Sequence, residues 1–346
     1  MSALPSSPAA ARATPVVVPA PVSVPDVEPA VEPPARWFGL ATRLRRLGGR
    51  GAVIGVPYGW LLLFFLLPFL IVLRISFASM DGALVSELLK YADGRLSLTL
   101  ELGNYGLLFS DDLYWRTYGL SLFYAAVTTL ACLLVGYPFA YFMARASSAL
   151  QPLLLMGVML PFWTSFLLRV YAWKGLLDGD TGWIGQLLRA LKVDHVLLAL
   201  GAIPALGQFM YSPFSLVLGM VYTYLPFMVL PLYANLAKLD LRLLEAAQDL
   251  GATPWQAFWR VTVPLSRAGI VAGAMLVFIP CVGEYVIPEL LGGPQTLMIG
   301  RVLWDEFFSN NDWPMASAVA VVMVLLIIVP LALFNANQAK VAEQGR

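Results

Sequence analysis

Residues 240–267 read DLRLLEAAQDLGATPWQAFWRVTVPLSR, and elementary helix chemistry parses most of the string. Residues 240–250 form a short amphipathic helix, with Leu243, Ala246, Ala247 and Leu250 near one face at helical spacing. Gly251 follows as the residue that turns left-handed past the helix end, where a missing Cβ removes the steric penalty. Thr253 then caps a second helix, Pro254 takes its first position, and Gln256 completes a reciprocal capping box three residues on. Val263-Pro264 ends that helix, and Ser266 is placed to cap the next. The expected unit is a helix–turn–helix rich in small and polar side chains.

Long charge-free runs lie on both sides of it. A membrane helix needs about 20 mainly apolar residues, and runs 51–73, 117–144 and 146–168 meet that condition. Run 196–237 is long enough for two spans, but Gly201, Pro204 and Gly207 interrupt its first third. One span at 213–236, preceded by a short broken segment, is expected there. Beyond the loop come 268–291, interrupted by Glu284, and 315–334. The expected spans are therefore 53–73, 118–143, 152–170, 213–236, 268–291 and 315–334. The fold class is an all-α membrane protein with six transmembrane helices.

Composition agrees. Of 346 residues 59% are hydrophobic and 12% charged, against about 45–50% and about 25% in soluble domains. That leaves too little polar surface for an ordinary soluble enzyme. A net charge of +1 offers no basic footprint for nucleic acid. His195 is the single histidine, and Cys132 and Cys281 sit inside apolar runs as packing residues. No phosphate-binding G-x-x-x-x-G-K-[ST] loop occurs, so any ATP must be handled by a partner. No catalytic constellation, metal site or cofactor is expected.

Basic residues set the orientation. Arg43, Arg45, Arg46 and Arg50 place the N-terminus in the cytoplasm; Lys238, Arg242, Arg260 and Arg267 do the same for the loop 237–267. Four crossings separate the two clusters, so parity agrees, and the C-terminus is cytoplasmic as well. Segments 79–114, 171–212 and 292–314 are then external. Residues 1–36, rich in Pro, Ala and Val, read as an extended disordered tail with no cleaved signal, ahead of one membrane domain at 37–346.

Glu245-Ala246-Ala247, Gly251 and Val261-x-Val263-Pro264 follow the spacing E-A-A-x3-G-x9-I-x-L-P, with valines in place of Ile and Leu. In this the chain resembles the inner-membrane permeases of ABC importers, and the resemblance covers most of residues 50–346. The segments PFWTSFLLRVYAWKG (161–175), GEYVIPELLGGP (283–294) and IGRVLWDEFF (299–308) are similar to the polyamine branch of that family. The resemblance implies a type I permease fold in the bacterial inner membrane and a transport subunit without enzymatic activity. It implies that Glu245, Ala246, Ala247, Gly251 and Pro264 couple the loop to an ATPase. The implied partners are two ATPase subunits, a second homologous permease and a periplasmic polyamine-binding protein. Putrescine is the implied substrate, with spermidine or another small cation as alternatives. An ion-driven secondary carrier using Glu284 is the rival class; such carriers often show an inverted repeat, and none is visible.

Glu284 is the one acid inside an expected span. On a continuous helix, 14 residues from Ile270 place it about 21 Å along, beyond mid-membrane. An acid there usually faces a cavity or partner, since a central charge costs on the order of 2.5–3.5 kcal/mol. Tyr285, Trp163, Tyr171, Trp173, Tyr222 and Tyr224 are candidate ring faces for an alkylammonium group. The ordinary role of aromatics at span ends is interfacial anchoring, and Arg169 is expected to snorkel outward. His195 is placed in an external loop. The amphipathic stretch 296–308, with Trp304, Asp305 and Glu306, is a candidate surface for a substrate-delivery protein.

Overall fold

The computed structural model describes residues 51–344 except 52, 83, 87, 88, 93, 94 and 99. The expected tail at 1–36 and the arginines at 43–50 lie outside the described residues. The chain divides after Phe64 into two compact units. In the first, residues 53–64 are helical and exposed, with the Trp60 and Phe64 rings 4.1 Å apart. They belong to α1 (Val53–Ser76), a candidate span without a charged side chain until Arg74.

The second unit begins with the rest of α1 and two small antiparallel pairs. These are β1 (Met80–Asp81) with β2 (Leu84–Val85), and β3 (Leu89–Ala92) with β4 (Arg95–Leu98). Then follow α2 (Gly103–Ser110), α3 (Asp112–Arg145), α4 (Leu150–Met159), α5 (Phe166–Leu177), α6 (Trp183–Ala190), α7 (Val193–Ala199) and α8 (Pro213–Leu236). The polar connection holds α9 (Arg242–Asp249) and α10 (Pro254–Leu265). Last come α11 (Arg267–Val282), α12 (Val286–Leu290), α13 (Ile299–Trp304) and α14 (Trp313–Gln344).

Helices α3, α8 and α11 pack on one another and hold the core, where Cys132, Met220, Met228, Leu232, Val277 and Cys281 are fully buried. Small residues make the approach close. A Cβ on Gly273 would stand 2.8 Å from Met228 Sδ, and one on Gly269 would stand 2.8 Å from Asn235 Cβ. This stripe on α11, four residues apart, is how helices in an apolar solvent gain dispersion contact, since lipid gives them no hydrophobic drive to associate. The cysteines are packing residues, as expected. Tyr118 adds a tie between helices by donating to Val319 O at 2.7 Å.

All six expected spans are helical over most of their length, but two are interrupted. The segment expected as one span at 152–170 breaks after Trp163 and bends by 92°. Pro161 supplies no backbone donor, Thr164 donates its hydroxyl back to Pro161 O at 2.9 Å, Thr164 is extended, and Ser165 leaves the helical region at ψ 136°. The span expected at 268–291 stops at Val282, with Pro280 in its last turn and Gly283 after it. Three helices, Val53–Ser76, Asp112–Arg145 and Pro213–Leu236, are long and apolar enough to cross a membrane unbroken. The count reaches five with the two bent pairs 150–177 and 254–282, and α14 adds an apolar stretch at Trp313–Ile328.

Candidate functional site

The connection between α8 and α11 is built much as its residues dictate. Asp240 Oδ1 accepts from Arg242 N at 3.0 Å, so the first helix starts at Arg242 rather than 240. It ends at Asp249, and Gly251 takes φ +87°. There Gly251 N donates to Gln248 O at 2.8 Å and Ala252 N to Ala247 O at 3.0 Å, which satisfies the last carbonyls. Thr253 Oγ1 accepts from Gln256 N at 3.3 Å, and Gln256 Oε1 accepts from Thr253 N at 3.1 Å. This is the expected capping box.

Two expectations fail at the far end. Helix α10 continues through Val263-Pro264 to Leu265, with Phe258–Thr262 widened into a π-turn that accommodates the missing proline donor. Ser266 does not cap α11 with its side chain. Its hydroxyl bonds Val263 O at 3.0 Å and Tyr137 Oη at 2.9 Å instead, which fastens α10 to α3. Phe258 strengthens that contact, edge-on to Tyr137 and Tyr141 at 5.7 and 5.6 Å.

The result is one anchored helix and one free helix. Ala257 and Thr262 of α10 are buried, whereas α9 has no buried residue. Glu245 and Ala246 are exposed, Ala247 and Pro264 half-buried, and Leu250 is 89% exposed. Glu245 makes no ion pair among the described residues.

The second candidate region differs from its expected form. Glu284 lies in the break between α11 and α12, not within a helix. Its N–H donates to Cys281 O at 3.3 Å, while Oε1 accepts from Val286 N at 3.1 Å and Ile287 N at 3.4 Å. The carboxylate thereby serves the orphaned donors at the start of α12. Its other oxygen accepts from the hydroxyl of Tyr224, a buried residue of α8. Among the described residues no cation pairs with Glu284. A carboxylate offers about four lone-pair positions, so three accepted bonds leave it room for another donor.

Helix α13 packs closely against the break. A Cβ on Gly300 of α13 would meet Gly283 O at 2.5 Å and Glu284 O at 2.6 Å. Helix α13 can lie against these carbonyls only because position 300 has no side chain. The Tyr285 ring stacks on Trp304 at 4.4 Å and 9°, and Trp304 continues to Phe308 at 4.1 Å. Beside Trp304, Arg301 pairs with Glu289 at 2.6 Å.

The expected aromatic set is not one cluster. Trp173 and Tyr222 form their own edge-on pair at 5.3 Å. Trp163 and Tyr171 are 74% and 54% exposed and have no aromatic partner among the described residues. The fold of 92° turns them outward. Arg169 does not snorkel either: its Nε and Nη1 are buried, and the guanidinium faces Phe162 and Phe166 at 5.6 and 5.8 Å. Two residues of the Glu284 region take roles other than the expected ones. Tyr224 acts through its hydroxyl rather than as a ring face, and Trp304, expected on a docking surface, stacks on Tyr285.

The sequence profile described as binding-protein-dependent transport system inner membrane component matches residues 133–342. The chain belongs to this family and is an integral inner-membrane permease, not an enzyme. Membership implies a binding protein and an ABC ATPase as partners. The spermidine/putrescine transport system permease protein PotB of Haemophilus influenzae is 38% identical over 82% of this chain and 93% of its own length. PotB of Escherichia coli is 38% identical over 78% and 90%. The Escherichia coli inner membrane ABC transporter permease protein YdcU is 34% identical over 75% and 83%. Among solved structures, a chain of a bacterial ABC transporter that imports the acidic polysaccharide alginate aligns with TM-score 0.60 and 17% identity. The alignment covers 87% of this chain and 99% of that one. That likeness establishes the permease fold.

Proposed function

We propose that the chain translocates polyamines, with putrescine as its substrate, as one of two homologous permeases served by two ATPase subunits and a periplasmic polyamine-binding protein. The observation that carries the reading is the Glu284 carboxylate at a helix break inside an apolar bundle, without an ion-pair partner among the described residues. A diammonium chain entering such a passage loses water from both ends. A carboxylate offsets that loss through charge-assisted hydrogen bonds, roughly twice as strong as neutral ones. The outer face of Tyr285, whose other face stacks on Trp304, would contribute about 0.5–2 kcal/mol as a cation–π partner. The names of the PotB relatives support the same solute class.

In this reading α9 is the element that meets the ATPase. Its exposed face, with Glu245 and Ala246, sits in the partner's groove, Gly251 sets its angle, and α10 carries its motion to α3 and α11. The basic residues of the loop and of 43–50 put both termini in the cytoplasm. The test is reconstitution with the partner subunits and ATP-driven uptake of radiolabelled putrescine in competition with other amines. Putrescine is expected to compete best. Stronger competition by spermidine would move the assignment within the class, and uptake driven by an ion gradient without ATP would overturn it.

A further inference from the structure

Helices α3, α10 and α11 enclose an apolar groove of about 360 Å³, lined by Leu133, Leu134, Pro138, Trp255, Trp259 and Ile270 among others. The transport reading makes no use of it. Trp255 and Trp259 stand open at its side, 70% and 53% exposed. Tyr137, which also lines it, has its hydroxyl engaged by Ser266. The lining therefore offers hydrocarbon contact and little hydrogen bonding.

Arginines flank one end. On α3 the residues Leu134, Pro138, Tyr141 and Arg145 recur at three- and four-residue spacing, so they share one face. That face leads from the groove to the Arg145 guanidinium, 4.8 Å over the Tyr141 ring. On α11, Arg267 lies one turn from Ile270, and Arg260 adjoins Trp259 on α10. All three arginines are exposed, and none makes an ion pair among the described residues. From Leu133 to Arg145 the helix rises about 18 Å, close to the roughly 15 Å of hydrocarbon in one leaflet. Indoles and arginines are the side chains that settle at the headgroup level.

We infer that this groove seats an anionic phospholipid, with an acyl chain along Leu133, Leu134 and Ile270 and the phosphate against Arg145 and Arg267. Apolar lining, depth and single-sign charge together fit a lipid of that kind. Such a lipid would bridge α10, which carries the polar connection, to the bundle.

The probe is phosphatidylglycerol. Full-length permease is reconstituted in phosphatidylethanolamine vesicles with and without it, extracted in mild detergent, and its retained lipid measured by mass spectrometry. Wild type is expected to retain phosphatidylglycerol selectively. Arg145→Gln with Arg267→Gln is expected to lower that selectivity about fivefold per arginine. Leu134→Trp, at an exposed position that spares the core, is expected to remove the bound lipid with both arginines intact. Wild-type retention in either variant overturns the inference. So does a wild-type permease that retains phosphatidylglycerol no better than phosphatidylethanolamine.

Discussion

Gly251 stands at φ +87° with nothing within 4 Å of where a Cβ would go, so its constraint is conformational rather than steric. A β-branched side chain in left-handed geometry costs roughly 1–2 kcal/mol. Gly251→Val is therefore expected to insert and assemble normally but to cripple transport, because it shifts the angle of α9. ATP-driven uptake measured beside ATPase rate checks this, and wild-type values of both would remove the loop from coupling. Gly300 is the opposite case, with carbonyls 2.5 and 2.6 Å from the missing Cβ. Gly300→Ala should force α13 off the break, at about 1–3 kcal/mol of overpacking, seen as a lower Tm and reduced uptake. Residues such as Thr253, Gln256 and Gly251 were legible because their partners lie within a few positions. The bond from Tyr224 to Glu284 spans 60 residues, and no local pattern announces it.

Among elements, the bounds of α8 follow from the charge-free run and the Gly201, Pro204 and Gly207 interruptions ahead of it; the structure adds the capping box of Ser212 and Ser215 that starts the helix at Pro213. The break at 164–165 was hidden, since an unbroken absence of charge looks the same in a straight helix and a bent one, and the Glu284 charge at 283–285 marks an exception to the run without saying that the helix stops there. Pro161, Thr164-Ser165 and Pro280-x-x-Gly283 were the available signals. Two outcomes belong at this scale. Ala246→Asp puts a charge on the exposed face of α9, so stability should hold while ATPase copurification and uptake fall. Retention of both would mean that α9 faces only water. Gly273→Leu should instead separate α11 from α8 by colliding with Met228, and thermal unfolding in detergent should fall well below wild type.

At the scale of the whole molecule, composition was enough to place the chain in a membrane, and the connection between α8 and α11 was enough to suggest its family. Local chemistry could not say which residues meet around Glu284, because helix packing decides that. Residues 2–35 have too few groups to bury a face, so their deletion is expected to leave insertion and uptake nearly intact; loss of the assembled complex would reveal a binding role. The central claim is that Glu284 supplies the counter-charge for a cationic solute in an ATP-driven importer. Glu284→Gln keeps size and hydrogen-bonding shape while removing the charge. In vesicles holding the complete transporter, the variant is expected to assemble normally and keep its basal ATPase rate, with putrescine uptake and its stimulation of ATPase strongly reduced. Wild-type putrescine affinity and uptake in that variant would contradict the account and leave Glu284 as the cap of α12 alone.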